Sequence, residues 1–396
     1  MQEIYTVVLI GAGLFQLPAI KEAKRLGLYV IALDGDANAP GLPYADKYFI
    51  ADIKDPKQCI EIIRPFRPAA VFALATEVAV RTVADICAEL DLKGVSPEAA
   101  INSTNKKRMR DCFLRDKLPS PKFIAVNDTV DLDKNASNIG YPLVTKPADS
   151  AGSRGVTIVE TQDQLAEAFA HAKKYSTSGE VLLEEYMSGD EISVEAFIQN
   201  GNIQILSLSD KIRTPKPFPL DTRVIFPSNK DDKIQIEARR IAEQAIVSCG
   251  IDNAVIHIEM MVTPTGPKLV EIAARGAGFH VFSNLLSWVC DINTVELLIN
   301  ISLGREVKLT KIKQRGAVLS FPSAKRGIVK KIENIETIKK TEGIYDAELY
   351  IKVGDQINPL KSGSDRIGHI IAFGSDRNSA LEIAENAESL LKIEVL

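Results

Sequence analysis

The stretch NAVIHIEMMVTPTGPKLVEIAAR, residues 253–275, reads as two apolar strands joined at a Thr-Pro-Thr-Gly turn. If Thr265 sits at the turn centre, Glu259 faces Glu271 and His257 faces Ala273 across the hairpin. Directly opposed residues hold their Cβ atoms about 5 Å apart, and two carboxylates so placed repel unless a cation lies between them. Magnesium, a hard cation that takes oxygen ligands, suits such a pair. Ile258, Met260 and Val270 read as core-facing, which favours a buried metal pair over a protonated glutamate or pairing with surface lysines. Opposed carboxylates also serve glycosidases, but the lysines and the glycine loop elsewhere in the chain argue against that chemistry.

The chain has 396 residues, 45% hydrophobic and 25% charged, as in ordinary globular proteins, and its length suggests two or three domains. A net charge of -4 argues against nucleic acid or a membrane surface as the main partner. No apolar run approaches the ~20 residues of a membrane span. The start, MQEIYTVVLIGAG, reads as a strand rather than a signal peptide. Cysteines 59, 87, 112, 249 and 290 form no CxxC pair, so reduced, buried thiols and a cytoplasmic location are expected. Four histidines leave little material for a Ser-His-Asp triad or a His-rich zinc site.

Residues 1–104 alternate strand-like segments (TVVLIG, YVIALD, KYFIAD, AAVFAL) with helix-like ones, the pattern of a parallel, doubly wound sheet. From about 105 the pattern becomes α+β, with antiparallel hairpins and helices expected over Thr161–Tyr175 and through KIQIEARRIAEQAIVSCG to a Gly250 cap. After 306 come short strands, closing on a helix from Ser379 to about Leu391.

Three further stretches bear on chemistry. In TKPADSAGSRGV (145–156), Lys146 leaves a strand into a small polar loop whose backbone N–H groups could wrap phosphate, although such loops are also plain hairpin turns. LLEEYMSGDEISVE (182–195) offers a strand end and Glu191, and alone says no more than acidic loop. GAGLFQ (11–16) imitates a dinucleotide fingerprint, with Asp34 ending the next strand. Its third small position is Gln16, however, too bulky for the close helix–strand packing that position serves.

Lys106 in NKKRMRD, Lys146 in its loop, EEYMSGDEISVE and the glutamate pair ending in EIAAR together resemble the ATP-grasp superfamily over roughly residues 1–305. The resemblance implies an α/β and α+β architecture: a Rossmann-like domain (1–104), a two-lobed ATP-grasp domain (105–305) and a small C-terminal α/β domain (306–396). It implies that Lys106 and Lys146 contact ATP phosphates, with Ser150, Gly152, Ser153 and Gly155 in a loop closing over them. Glu184, Glu185 and Met187 belong to the nucleotide site, the Glu185 carbonyl and Met187 N–H reading adenine, and Glu191 holds the ribose. Glu259 and Glu271 bind Mg2+, with Mn2+ as a substitute, and Arg275 neutralises the carboxylate or acyl-phosphate.

Many members place a third metal ligand, asparagine, where this chain has Ala273; His257 opposite could fill that role directly or through water, or simply pack. Gly276 and Gly278 are expected to let backbone approach an amino-acid-like carboxylate. Residues 209–223 are expected to form a loop over the acceptor, offering Lys211, Arg213 and Arg223 to anions. The resemblance implies a carboxylate–amine ligase acting on small molecules, with homodimers common. The alternatives are an ATP-dependent carboxylase or purine-pathway ligase, a nucleotide-binding subunit, and an NAD(P)-dependent oxidoreductase.

Overall fold

A computed structural model of the chain describes residues 5–309 and 311–396. The first four residues of the expected opening strand lie outside them. β1 (Thr6–Ile10), β2 (Tyr29–Asp34), β3 (Lys47–Ile50) and β4 (Ala70–Phe72) form a parallel sheet in the order β3-β2-β1-β4. Val7, Val8, Leu9 and Ile10 are fully buried, because helices cover both faces of a parallel sheet and its strands are apolar throughout. The strand order reverses between β1 and β4, the place where such sheets open a crevice.

The glycine turn there is filled by its own chain. Gln16 Nε2 donates to the Leu74 carbonyl at 2.7 Å, and its side chain lies across Gly11 and Gly13. Asp34 Oδ2 accepts from Ala12 N at 2.6 Å. The carboxylate that a dinucleotide would need is thus spent on fixing the turn, and Gln16 fills the space over the glycines.

β5 (Phe123–Val126), β6 (Leu143–Pro147), β7 (Thr157–Val159) and β8 (Val181–Glu185) make an antiparallel sheet ordered β5-β8-β6-β7. β9 (Asp190–Gln199), β10 (Asn202–Arg213), β11 (Asp221–Phe226), β12 (Ala254–Thr263), β13 (Gly266–Ala273) and β14 (Gly316–Ser320) follow. β15 (Gly327–Glu333), β16 (Ile344–Leu349), β17 (Gln356–Ile357), β18 (Gly368–Gly374) and β19 (Lys392–Val395) complete the chain. An eight-stranded sheet runs β13-β12-β9-β10-β11-β14-β18-β16, so the last ninety residues extend the same sheet; β17-β15-β19 forms a separate small one.

Several boundaries differ from expectation. The expected loop 209–223 is mostly strand, β10 and β11, leaving Thr214–Leu220 as loop, because residues 209–213 pair with β9 and with β11. The helix begins with a tight turn at Gln162–Gln164 and runs as α-helix only over Leu165–Tyr175. The chain closes on β19, not a helix: after Arg377–Leu390 the residues 392–395 pair with β15. The helix Asp232–Ser248 does end before Gly250, which takes φ 71°.

Helix Thr294–Ser302 ties the lobes together. Its apolar side shares one core with Val7, Ala19 and Ile20 of the first lobe and Phe197, Leu206 and Phe226 of the large sheet. At its start Glu296 accepts from Arg25 at 2.7 Å. Among the described residues no single helix is long and apolar enough to cross a membrane.

Candidate active site

A cavity of about 680 Å³ lies between the β5–β8 sheet and the eight-stranded sheet. The first lobe contributes Phe15, Thr76 and Glu77 from the crevice mouth, and the C-terminal strands and loops contribute Phe321, Ser364 and Arg366.

The hairpin β12–β13 supplies its floor. Glu259 pairs with Glu271 and His257 with Ala273, as the sequence reading required. The turn itself differs. Thr263 pairs with Gly266, so the loop is the two residues Pro264 and Thr265, and the register slips by one between Glu259 and Met260. Val270 is the extra residue of this bulge. It is half-buried and lines the cavity, correcting the expectation that it faces the core; Ile258 and Met260 are fully buried.

Polar residues alternate along the strands facing the hairpin. Glu191, Ser193 and Glu195 on β9 are all buried, one period-two face. Their charges are matched in a chain of ion pairs. Lys211 Nζ donates to Glu191 at 3.0 Å, lies 3.3 Å from Asp221 and also bonds Glu259. Arg213 Nη1 lies 2.7 Å from Glu191 Oε2. His257 Nδ1 is 2.6 Å from Glu195 Oε1, and its Nε2 is 3.4 Å from Glu259 Oε1.

Burial alone would push the His257 imidazole down, but Glu195 and Glu259 raise it to about 9, so it is a cation at neutral pH. Burial would raise Glu259, but Lys211 and His257 hold it well below the usual carboxylate range. Lys211 is likewise raised, its three carboxylates outweighing burial.

A second cluster forms the opposite wall. Lys106, the first residue of helix Lys106–Arg115, donates to the Ser150 carbonyl at 2.7 Å and to Glu271 at 3.0 Å. Lys146 is 2.7 Å from Glu184 Oε2, and Glu184 Oε1 accepts from Arg110 Nε at 2.8 Å. Burial, with Arg110 and Lys106 nearby, lowers Lys146 to about 8 despite Glu184. Glu184 thus spends both oxygens on cations. Arg110 escaped the sequence reading, although it sits four residues from Lys106 on one helical face.

The remaining expected residues separate into two groups. Ser150, Gly152, Ser153, Glu185, Met187, Arg275 and Gly278 line the cavity. Arg275 Nε donates to Glu77 at 2.6 Å, joining the hairpin's end to the first lobe. Three residues do not reach it. A Cβ on Gly276 would stand 2.4 Å from the Phe282 ring, so this glycine serves packing rather than ligand approach. Gly155 is crowded by Pro147, Tyr175 and Ala172 and closes the loop against its helix. Arg223 turns outward to Glu385 and Glu388 on helix Arg377–Leu390. Besides Arg110, the residues that sequence reasoning passed over are Asp221, Glu195, Phe321 and Arg366. For Glu195 the alternation in EISVE was a usable signal, and Asp221 lies within the stretch 209–223 already singled out; for Phe321 and Arg366, which come from distant segments, there was none.

The ATP-grasp domain family matches residues 139–282, and the L-amino acid ligase C-terminal domain 2 family matches residues 320–396. The chain is 28% identical over 277 residues to alanine–anticapsin ligase of Bacillus subtilis, covering 63% of this chain and 58% of that one. It is 30% identical over 397 residues to formate-dependent phosphoribosylglycinamide formyltransferase of Prochlorococcus marinus, covering 98% and 97%. It spans between 56% and 66% of the length of the first curated relatives it matches. The crystal structure of an L-amino acid ligase from Bacillus licheniformis superposes with a TM-score of 0.87 at 22% identity over the full length of both chains, a likeness of fold. With the paired glutamates, the two cavity lysines and the full-length relative in agreement, the chain belongs to the ATP-grasp superfamily.

Proposed function

We propose that the cavity is the active site of an ATP- and magnesium-dependent ligase that joins a carboxylate to an amine, at least one substrate being amino-acid-like. The observation that carries this reading is the convergence of Lys106, Lys146, Glu259, Glu271 and Arg275 on one cavity from one helix and two sheets. The L-amino acid ligase match over 320–396 supports the choice of amino acid.

The carboxylates suit a hard divalent cation. Glu259 and Glu271 are directly opposed and carry only oxygen donors, and Glu259 is held ionised. Magnesium, or manganese in its place, would be held by these two and would offset the charge on the nucleotide phosphates. His257 carries its proton and is tied to Glu195, so it fits a support for Glu259 better than a direct ligand.

Lys106 and Lys146 offer positive charge to the phosphates, and the Ser150–Ser153 backbone offers N–H donors. Lys146, at about 8, stays protonated at neutral pH, and Glu184 with Arg110 fixes its position. Glu185 and Met187 border the adenine and Glu191 the ribose. Arg275, anchored by Glu77, holds a substrate carboxylate in line with the γ-phosphate. The carboxylate oxygen attacks phosphorus and ADP leaves; the amine then attacks the acyl carbon, and phosphate departs with that oxygen. No side-chain nucleophile is required. Residues 1–104, 105–305 and 306–396 are read as three units that share this cavity, and the five buried free thiols support a reducing, cytoplasmic setting.

The test is ADP and phosphate release across a panel of amino acids and small carboxylates, with and without magnesium. Turnover that needs magnesium and an added amino acid supports the ligase. The full-length likeness to the formyltransferase favours a second reading. Turnover with formate and phosphoribosylglycinamide, and with no amino acid, would establish that one instead.

A further inference from the structure

Beside the cavity, behind Phe279, a second group of potential ligands has no part in the reaction just described. One ligand atom each from His280, Asp346 and His369 lies within 4.8 Å of the others. They come from the segment after β13, from β16 and from β18. His369 Nε2 stands 3.1 Å from Asp346 Oδ2. That is close to the spacing of about 3.4 Å between ligands bound at 2.0–2.2 Å around one tetrahedral ion. Asp346 is partly exposed and can adjust, whereas His369 is buried.

The outer contacts aim the rings. His369 Nδ1 is 2.6 Å from the Tyr350 hydroxyl, and His280 Nδ1 is 3.3 Å from Asn284 Oδ1. Metal-binding histidines characteristically donate their second ring N–H to an oxygen in this way, which leaves Nε2 for the ion. Asn284 is itself held, donating to the Tyr345 hydroxyl at 2.6 Å. The backbone is also committed: Phe279 and His280 take consecutive positive φ values of 52° and 64°, a conformation non-glycine residues adopt at a cost. The His280 ring lies against that of His369 on β18, centroids 5.4 Å apart.

We propose that His280, Asp346 and His369 form a second metal site, distinct from the glutamate pair, for a divalent transition ion of the zinc class. Two imidazoles and one carboxylate select zinc or cobalt over magnesium, which prefers oxygen alone. With the ion bound, His369 is the neutral tautomer whose one N–H, on Nδ1, donates to the Tyr350 hydroxyl, and the ion takes the place between its Nε2 and Asp346. The ion clips the segment that follows Arg275 to the C-terminal strands, with an open coordination position for water.

The experiment uses the full chain, stripped with chelator and titrated with Co2+ alone. The expected result is a visible tetrahedral cobalt absorption that saturates at one equivalent and is bleached by Zn2+. His280→Ala and Asp346→Asn, checked for folding by circular dichroism, each remove it, and Glu271→Gln keeps it. Tyr350→Phe, which keeps the ring but loses the outer oxygen, weakens cobalt binding by about tenfold or more. Absence of the band in the wild type overturns the site. So does a band that survives both His280→Ala and Asp346→Asn, or one that disappears in Glu271→Gln.

Discussion

Arg110 is fully buried, and its guanidinium holds Glu184, which in turn holds Lys146. Removing the guanidinium leaves Glu184 to Lys146 alone and strips two acceptors, Glu184 Oε1 and the Val270 carbonyl, of their donor, at a cost of about 1–3 kcal/mol each. Arg110→Met is therefore expected to lower stability by that order in denaturant unfolding, more than any surface arginine. Glu271→Gln keeps the shape of the floor but removes one of two opposed carboxylates. It is expected to abolish turnover while adenine nucleotide binding stays measurable by calorimetry; a fully active variant would refute the role given to the pair. His257 supplies a pH signature. Its pKa rises on folding from about 6.5 to about 9, so its stabilisation is complete below the lower value and is lost as pH rises through the upper. The stability difference between wild type and His257→Gln should accordingly shrink from pH 6.5 to pH 9. A difference that stays flat or grows over that range would mean the histidine is neutral in the folded protein.

At the scale of elements, the hairpin was legible and its details were not. Placing the turn centre at Thr265 and ignoring the bulge are two errors of one residue that cancel, so Glu259 still meets Glu271. Period-two alternation carries such a register over several residues, but a bulge leaves no mark in one sequence. Glycines were the harder case, since Gly276 and Gly278 look alike in GAG and only packing separates them. A Cβ on Gly276 meets the Phe282 ring, whereas one on Gly278 meets nothing within 4 Å. Gly276→Ala is thus expected to cost roughly 1–3 kcal/mol of stability through overpacking. Gly278→Ala should leave the melting temperature within a degree or two and raise the KM of a substrate. The reverse pattern would exchange the roles of the two glycines.

Across the whole molecule, the change from a parallel to an antiparallel pattern could be read from the texture of the chain, but the sharing of parts could not. Nothing in the sequence announces that β14, β16 and β18 continue the sheet that carries the glutamates, or that Glu77 anchors Arg275. Such contacts join segments up to two hundred residues apart and leave no periodic trace. The glycine turn shows the converse: its departure from the fingerprint at Gln16 was visible, and the structure supplies the reason in the bond to Leu74. Binding of Mg-ATP should stabilise the assembly as a unit, by about 2.7 kcal/mol at a hundredfold excess over Kd.

The most direct test of the central claim follows one oxygen. With the accepted amino acid labelled by heavy oxygen in its carboxylate, turnover with Mg-ATP and an amine should release ADP and phosphate carrying one labelled oxygen. Unlabelled phosphate, or release of AMP and pyrophosphate, would contradict an acyl-phosphate ligase in this cavity.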